Sequence, residues 1–137
     1  MAFTDMSLSL SGLLGFLSHF VTAVVLLYVF AKIYDKVTPY REFDLISEGN
    51  TAAACSFCGA LLGFAVPLAS AVIHSAGLLD MIVWAAITFV VQLLTFIVVR
   101  KIFPTIVADI PANQISKGIF LGFLSLIVGI LNAACIS

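Results

Sequence analysis

Four long apolar stretches, each closed by a short polar break, set the pattern of this chain: Leu10–Tyr34, Thr51–Ile73, Leu79–Ile102 and Ile115–Ile136. Each reaches the roughly 20 mostly apolar residues that an α-helix needs to cross a bilayer. None alternates apolar with polar positions, as strands of a membrane barrel must. Helices also satisfy their backbone hydrogen bonds within the segment, which lipid demands. The pattern therefore predicts an all-α integral membrane protein with four transmembrane helices. Within the first polar break, Phe43, Leu45 and Ile46 stand among charges, which predicts a short interfacial helix over Tyr40–Ser47. The first stretch lacks a basic lead and has an apolar core too long for a cleavable leader, so a spanning helix is expected there. The preceding Met1–Ser9, with Asp5, reads as a weakly polar lead lying at the interface.

The pattern repeats. Asn50, Phe57 and Gly59 recur with the same spacing as Asn113, Phe120 and Gly122. The run before each copy recurs too, Phe20-Val21 to Lys32-Ile33-Tyr34 aligning with Phe89-Val90 to Lys101-Ile102-Phe103. Internal repeats govern the reading of a fold. The expectation is one membrane domain, residues 1–137, built as a tandem repeat of a two-helix hairpin, about 10–75 and about 76–137. Two spans return the chain to its starting side, so the halves are parallel repeats about an axis along the membrane normal.

Composition sharpens this. The chain is 63% hydrophobic and 9% charged, whereas a soluble domain is about 45–50% apolar and about 25% charged. The lipid bilayer is the solvent that fits. A net charge of −1 argues against nucleic acid, which needs clustered cations. The six cations, Lys32, Lys36, Arg41, Arg100, Lys101 and Lys117, all lie in or beside the first and third breaks. Such bias orients short loops toward the cytoplasm. The expected topology has both basic loops cytoplasmic and both termini on the outer side.

Small residues mark the expected packing. Cys55, Gly59 and Gly63 form one stripe, and Gly118, Gly122, Ser125, Gly129 and Ala133 another. Both contain GxxxG, which lets helix backbones approach where lipid supplies no hydrophobic drive. Spans two and four are expected at the centre of the bundle or at the contact of a homo-oligomer. Asn50 and Asn113 are expected as helix caps at the starts of those spans. Pro67 should kink span two, with Ser70 helping to satisfy the carbonyl it frees.

Three polar residues form the candidate intramembrane site: His19, Gln92 and Asn132. His19 falls near the midplane of span one, where an ionisable side chain is a functional hypothesis by default. The plainer reading is a neutral imidazole bonding a neighbouring helix, and no carboxylate lies at that depth for a relay. Ala85, Thr88, Gln92 and Thr95 share a face of span three. A His19–Gln92 bond across helices would contribute roughly 0.6–2 kcal/mol. Cys55 and Cys58 form a CxxC, but lie within lipid depth with no second ligand pair, so packing is expected. His74 and Asp80 flank the outer turn and are expected to form a surface ion pair. No catalytic set, metal cluster or phosphate loop is evident, so no enzyme and no cofactor is expected.

The stretch Asn50-Thr51-Ala52-Ala53, Phe57, Gly59, Leu62-Gly63, Pro67-Leu68 and Ser70-Ala71 resembles the YjfL-type bacterial inner-membrane proteins, a family defined by a domain of unknown function. Thr38-Pro39, Trp84, Gln92-Leu93-Leu94, Arg100 and Asn132-Ala133-Ala134-Cys135 extend the resemblance over nearly the whole chain. His19, Cys55 and Cys58 are not among the matched positions. The resemblance implies a four-span protein built from a duplicated two-span unit. The family's company with membrane-stress proteins implies a supporting role at the envelope.

Two functions compete most closely. One is a homo-oligomeric, channel-like or transport-related protein whose polar stripes line a path. The other is a scaffold that recruits a cytoplasmic partner through the 35–50 loop. An embedded enzyme subunit ranks below both.

Overall fold

The computed structural model describes residues 2–136, with side chains described for 6, 7 and 9–136. Among the described residues six helices follow in order: α1 (Ala2–Val37), α2 (Glu42–Ser47), α3 (Thr51–His74), α4 (Leu78–Ile102), α5 (Ile106–Asp109) and α6 (Ile115–Cys135). The described residues form no strand. Four of these helices, within the described residues, are long and apolar enough to cross a membrane: α1 over Ser9–Val37, then α3, α4 and α6. The lead expected before span one is instead the first turns of α1, which starts at Ala2. The interfacial placement expected of Asp5 lies outside the described side chains.

The core sits between α3 and α6. Added Cβ atoms at Gly59, Gly63, Gly118, Gly122 and Gly129 would all overlap the backbone of the facing helix. Glycine alone permits that approach, and close backbones are how helices associate in lipid. The contacts step upward together: Gly118 on Ala52, Gly122 on Cys55, Gly129 on Gly63. Hence α3 and α6 run parallel. Against this pair α4 lays Met81, Ala85, Thr88, Gln92, Thr95, Phe96 and Val99, the face on which the sequence places its polar side chains. An aromatic cluster fastens the end of α1, with Phe30 stacked on Phe64 at 4.3 Å and edge-on to Phe89 at 5.5 Å.

The rest of α1 stands apart. Only 6% of its most apolar window is buried, against 50% for α3. Gly12 and Gly15 have open space where a side chain would go.

The two basic loops are stitched to one another. α2 ends in a Schellman motif, with the Gly49 N–H on the Ile46 carbonyl and the Asn50 N–H on that of Leu45, Gly49 taking the required positive φ of 85°. Asn50 then caps α3 by accepting from the Ala53 N–H at 2.8 Å. Its amide nitrogen donates to the carbonyls of Ile110 at 2.9 Å and Pro111 at 3.1 Å in the other loop.

Asn113 departs from the expectation. It does not cap α6, whose N-cap is Gln114 with no side-chain bond. With φ 62° it is itself the left-handed residue of a second Schellman turn, Asn113 N–H on Ile110 and Gln114 N–H on Asp109. Asn tolerates this conformation better than other side chains. Its carboxamide oxygen instead accepts from the Ala52 N–H at 3.0 Å, so Asn113 caps the neighbouring helix, α3.

In the second loop Ile106 and Ile110 are fully buried beside Tyr40, Phe96 and Leu121. Asp109 accepts from Lys117 and, at 2.6 Å, from Thr105. The Lys117 ammonium, then the Thr105 hydroxyl, hold its carboxyl below the usual range.

Candidate functional site

The sequence places His19, Gln92 and Asn132 in one candidate site. The structure separates them. Gln92, on the buried face of α4, donates through its amide nitrogen to the Gly63 carbonyl at 3.0 Å and the Ser125 carbonyl at 3.1 Å. The first acceptor has a specific cause. Pro67 lacks an N–H, so the carbonyl four residues earlier, that of Gly63, loses its helical donor. A buried carbonyl without a partner in lipid costs several kcal/mol, and Gln92 supplies the missing bond.

Ser70, expected in that role, donates instead to the Ala133 carbonyl of α6 at 2.9 Å. The reason is geometric: Ser70 lies a turn beyond Pro67, away from the freed oxygen, and toward the end of α6. The Gln92 carboxamide oxygen and the Ser125 hydroxyl are buried with no partner among the described residues.

Asn132 donates to the Thr88 hydroxyl at 3.1 Å, tying α6 to α4 nearer the opposite end. His19 bonds neither residue. Its Nδ1 lies 2.9 Å from the Gly15 carbonyl one turn back on its own helix, so the expected His19–Gln92 bond is not made. The cause is the stand-off of α1. His19 lines a groove of about 670 Å³ between α1 and α3, with Gly12, Gly15, Ala65, Leu68 and Ala69.

Cys55 is half-buried, Cys58 is exposed, and both are free thiols. The ion pair expected of His74 and Asp80 is replaced by local bonds. His74 meets the Ser70 carbonyl at 3.0 Å, and Asp80 accepts from the Ala76 N–H at 3.0 Å, holding the turn into α4.

The sequence reading missed one group altogether. Glu42 counts there as one charge of a mixed loop, yet it is fully buried. Both of its carboxyl oxygens, and the hydroxyls of buried Tyr34 and Tyr40, have no partner among the described residues. Asp35 caps α2 from the preceding helix, accepting from the Glu42 N–H at 2.7 Å, and so draws Glu42 in over α3. Burial first, then the Asp35 charge, pushes the Glu42 carboxyl well above the usual carboxylate range. The signal was present in helical spacing: Glu42, Leu45 and Ile46 fall on one face of α2.

Among the described residues no group of three or more His, Cys, Asp or Glu converges as a metal site would require. Chemically, the molecule offers a close-packed α3–α4–α6 bundle, a lateral groove beside a histidine, and a buried acid beneath α2.

Known proteins share this chain's sequence. It is similar to the UPF0719 inner membrane protein YjfL of Escherichia coli (strain K12), 40% identical over 128 residues that make up 93% of this chain and 97% of that protein. The protein of the same description from Escherichia coli O157:H7 gives the same values. A more distant relative is the UPF0719 transmembrane protein YshE of Bacillus subtilis (strain 168), 26% identical over 113 residues, 82% of this chain and 83% of that protein. No solved structure matches. With four membrane-length helices and these relatives, it is a multi-pass protein of the inner membrane. Over residues 7–136 the sequence fits the model described as Domain of Unknown Function (DUF350), and the chain belongs to that family.

Proposed function

We propose that this protein works as a homo-oligomer in the inner membrane, channel-like, with its conducting path between copies and not through the four-helix bundle. One observation carries the reading. α3 and α6 close on one another at backbone contact and α4 lays its buried face against them, while α1 stands off and leaves a groove that holds His19, Gly12 and Gly15. An ionisable side chain is costly against lipid, and small residues let a second helix approach. A neighbouring copy that closes the groove meets both conditions. The duplicated-hairpin reading supports a bundle of this kind: Gly59 and Gly122, equivalent in the repeat, face each other, as an axis along the membrane normal demands. The basic loops face the cytoplasm in this reading, leaving both termini on the periplasmic side. A supporting role at the envelope belongs to the same reading.

The experiment is ion or small-solute flux in vesicles containing the purified chain, paired with its mass in lipid. Flux that falls at least several-fold in His19→Leu, together with a multimeric mass, is the expected result. Unchanged flux in that variant contradicts the reading.

The scaffold reading rests on a cleft of about 560 Å³ lined by Lys32, Asp35, Lys36, Arg41 and Asp44. It stands second because the apolar side of α2, with Leu45 and Ile46, already packs into the fold. A partner would have only the charged side to hold.

A further inference from the structure

We propose that Glu42, enclosed with Tyr34 and Tyr40 beneath α2, is a proton-binding site at the basic end of the bundle, and that release of its proton loosens α2. The carboxyl has no exposed surface. Neither of its oxygens meets a donor among the described residues, and the two phenol hydroxyls are likewise unpartnered.

The surroundings are specific. α1 presents the Tyr34 hydroxyl and the Asp35 carboxylate, whose oxygen already holds the Glu42 N–H. The link presents Tyr40. α3 presents the Ser56 hydroxyl, which donates to the Ala53 carbonyl at 3.0 Å. From α4 comes the ring of Phe96, edge-on to Tyr34 at 6.2 Å and to Tyr40 at 6.4 Å.

Two cations close in sequence are engaged elsewhere. Lys32 lies over the rings of Tyr28 and Phe43, at 5.7 and 4.9 Å, and Arg41 is 3.7 Å from Asp44. No ion pair to Glu42 is formed among the described residues.

An uncompensated buried carboxylate is far more costly than a neutral carboxyl, so such a group keeps its proton. While the carboxyl is enclosed, the proton is the ligand. When it leaves, the charge needs water, and α2 is a helix of six residues held mainly by α3. Lifting it is the shortest route to hydration. A metal cation fits poorly, since a hard cation takes six or more oxygens, and beside the Glu42 carboxyl and the two phenols one Asp35 oxygen is already held by the Glu42 N–H and the Ser56 hydroxyl is turned to the Ala53 carbonyl.

Stability follows the same sign. The folded chain keeps this proton to higher pH than the unfolded chain, so it binds more protons above the ordinary carboxyl value of 4.5. Stability contributed here is fully present below that value and declines as pH rises toward the folded-state pKa.

The test is infrared spectroscopy of the full chain in lipid at pH 7, following the carbonyl stretch of a protonated carboxyl and its shift in heavy water. Thermal unfolding is measured from pH 5 to 8 alongside. The expected result is a band present in the native chain, absent in Glu42→Gln and retained in Glu48→Gln. The unfolding midpoint should fall with rising pH in the native chain and less so in Glu42→Gln. If Glu42→Gln does not fold, Asp35→Asn keeps the capping oxygen and removes a like charge, so its band should vanish at lower pH than the native band. A native chain without the band at pH 7, a band that survives in Glu42→Gln, or one that Asp35→Asn leaves unmoved would overturn the proposal. So would a band that sodium or potassium ions abolish at fixed pH, which marks a cation site.

Discussion

Gln92 is a polar side chain deep in a lipid-facing bundle, and its role is fixed by a proline on another helix. Pro67 removes the donor for the Gly63 carbonyl, and the Gln92 amide restores it. Removing the amide with Gln92→Leu should cost about 0.6–2 kcal/mol, the range for interhelical bonds in membranes. The interaction is checked by a double-mutant cycle in detergent unfolding. In a Pro67→Ala background the Gly63 carbonyl regains its helical donor, so Gln92→Leu should cost measurably less there. Equal costs in both backgrounds would separate the two residues.

At this scale the sequence showed which side chains are polar and how deep they lie. It did not show backbone vacancies, which is why Gln92 is matched with His19 in the sequence reading and with a carbonyl in the structure. Asn113 is missed for a related reason. Its spacing copies Asn50, but its backbone is left-handed, and that turns its carboxamide onto the neighbouring helix.

Among the helices, glycines divide into two classes that look alike in sequence. Those of α3 and α6 hold the core at backbone distance, while at Gly12 and Gly15 on α1 an added Cβ would meet no described atom within 4 Å. Gly122→Ala should therefore destabilise the folded chain by about 1–3 kcal/mol, the usual cost of overpacking. Gly12→Ala should leave the stability of the single chain within about 0.5 kcal/mol, as a surface change does, and should instead reduce the multimer mass measured in lipid. An equal loss of stability from both substitutions would contradict this division. The GxxxG stripes made spans two and four legible as the packed centre. Nothing in the pattern distinguished span one, because a helix facing lipid and a helix facing helices are both apolar. Helix α2 was legible in extent, Tyr40–Ser47 against Glu42–Ser47, but not in which residue it buries. Counting charges in a loop hides a carboxyl that helical spacing places on the inner face.

Taken whole, the molecule is a bundle whose two basic loops are bound together at one end. Asn50 reaches the second loop through two carbonyls, and Asn113 reaches the first through the Ala52 N–H. Far along the same helix pair, Ser70 ties α3 to the last turn of α6, and Met81 packs with Ala71 and Ile136. This arrangement was legible in the sequence as far as four apolar runs and the placement of six cations allow. The mutual stitching of the loops was not, since it depends on side chains meeting backbone atoms about 60 residues away in the chain.

The central claim is that the chain crosses the bilayer four times with both basic loops on one surface. Single cysteines at Lys36, Ala76 and Ala112, in a chain with Cys55, Cys58 and Cys135 changed to alanine, test it by labelling with an impermeant reagent in sealed vesicles. All three sites are exposed. Residues 36 and 112 should be labelled from one side and residue 76 from the other. Labelling of 36 and 76 from the same side, or of 36 and 112 from opposite sides, would contradict the account.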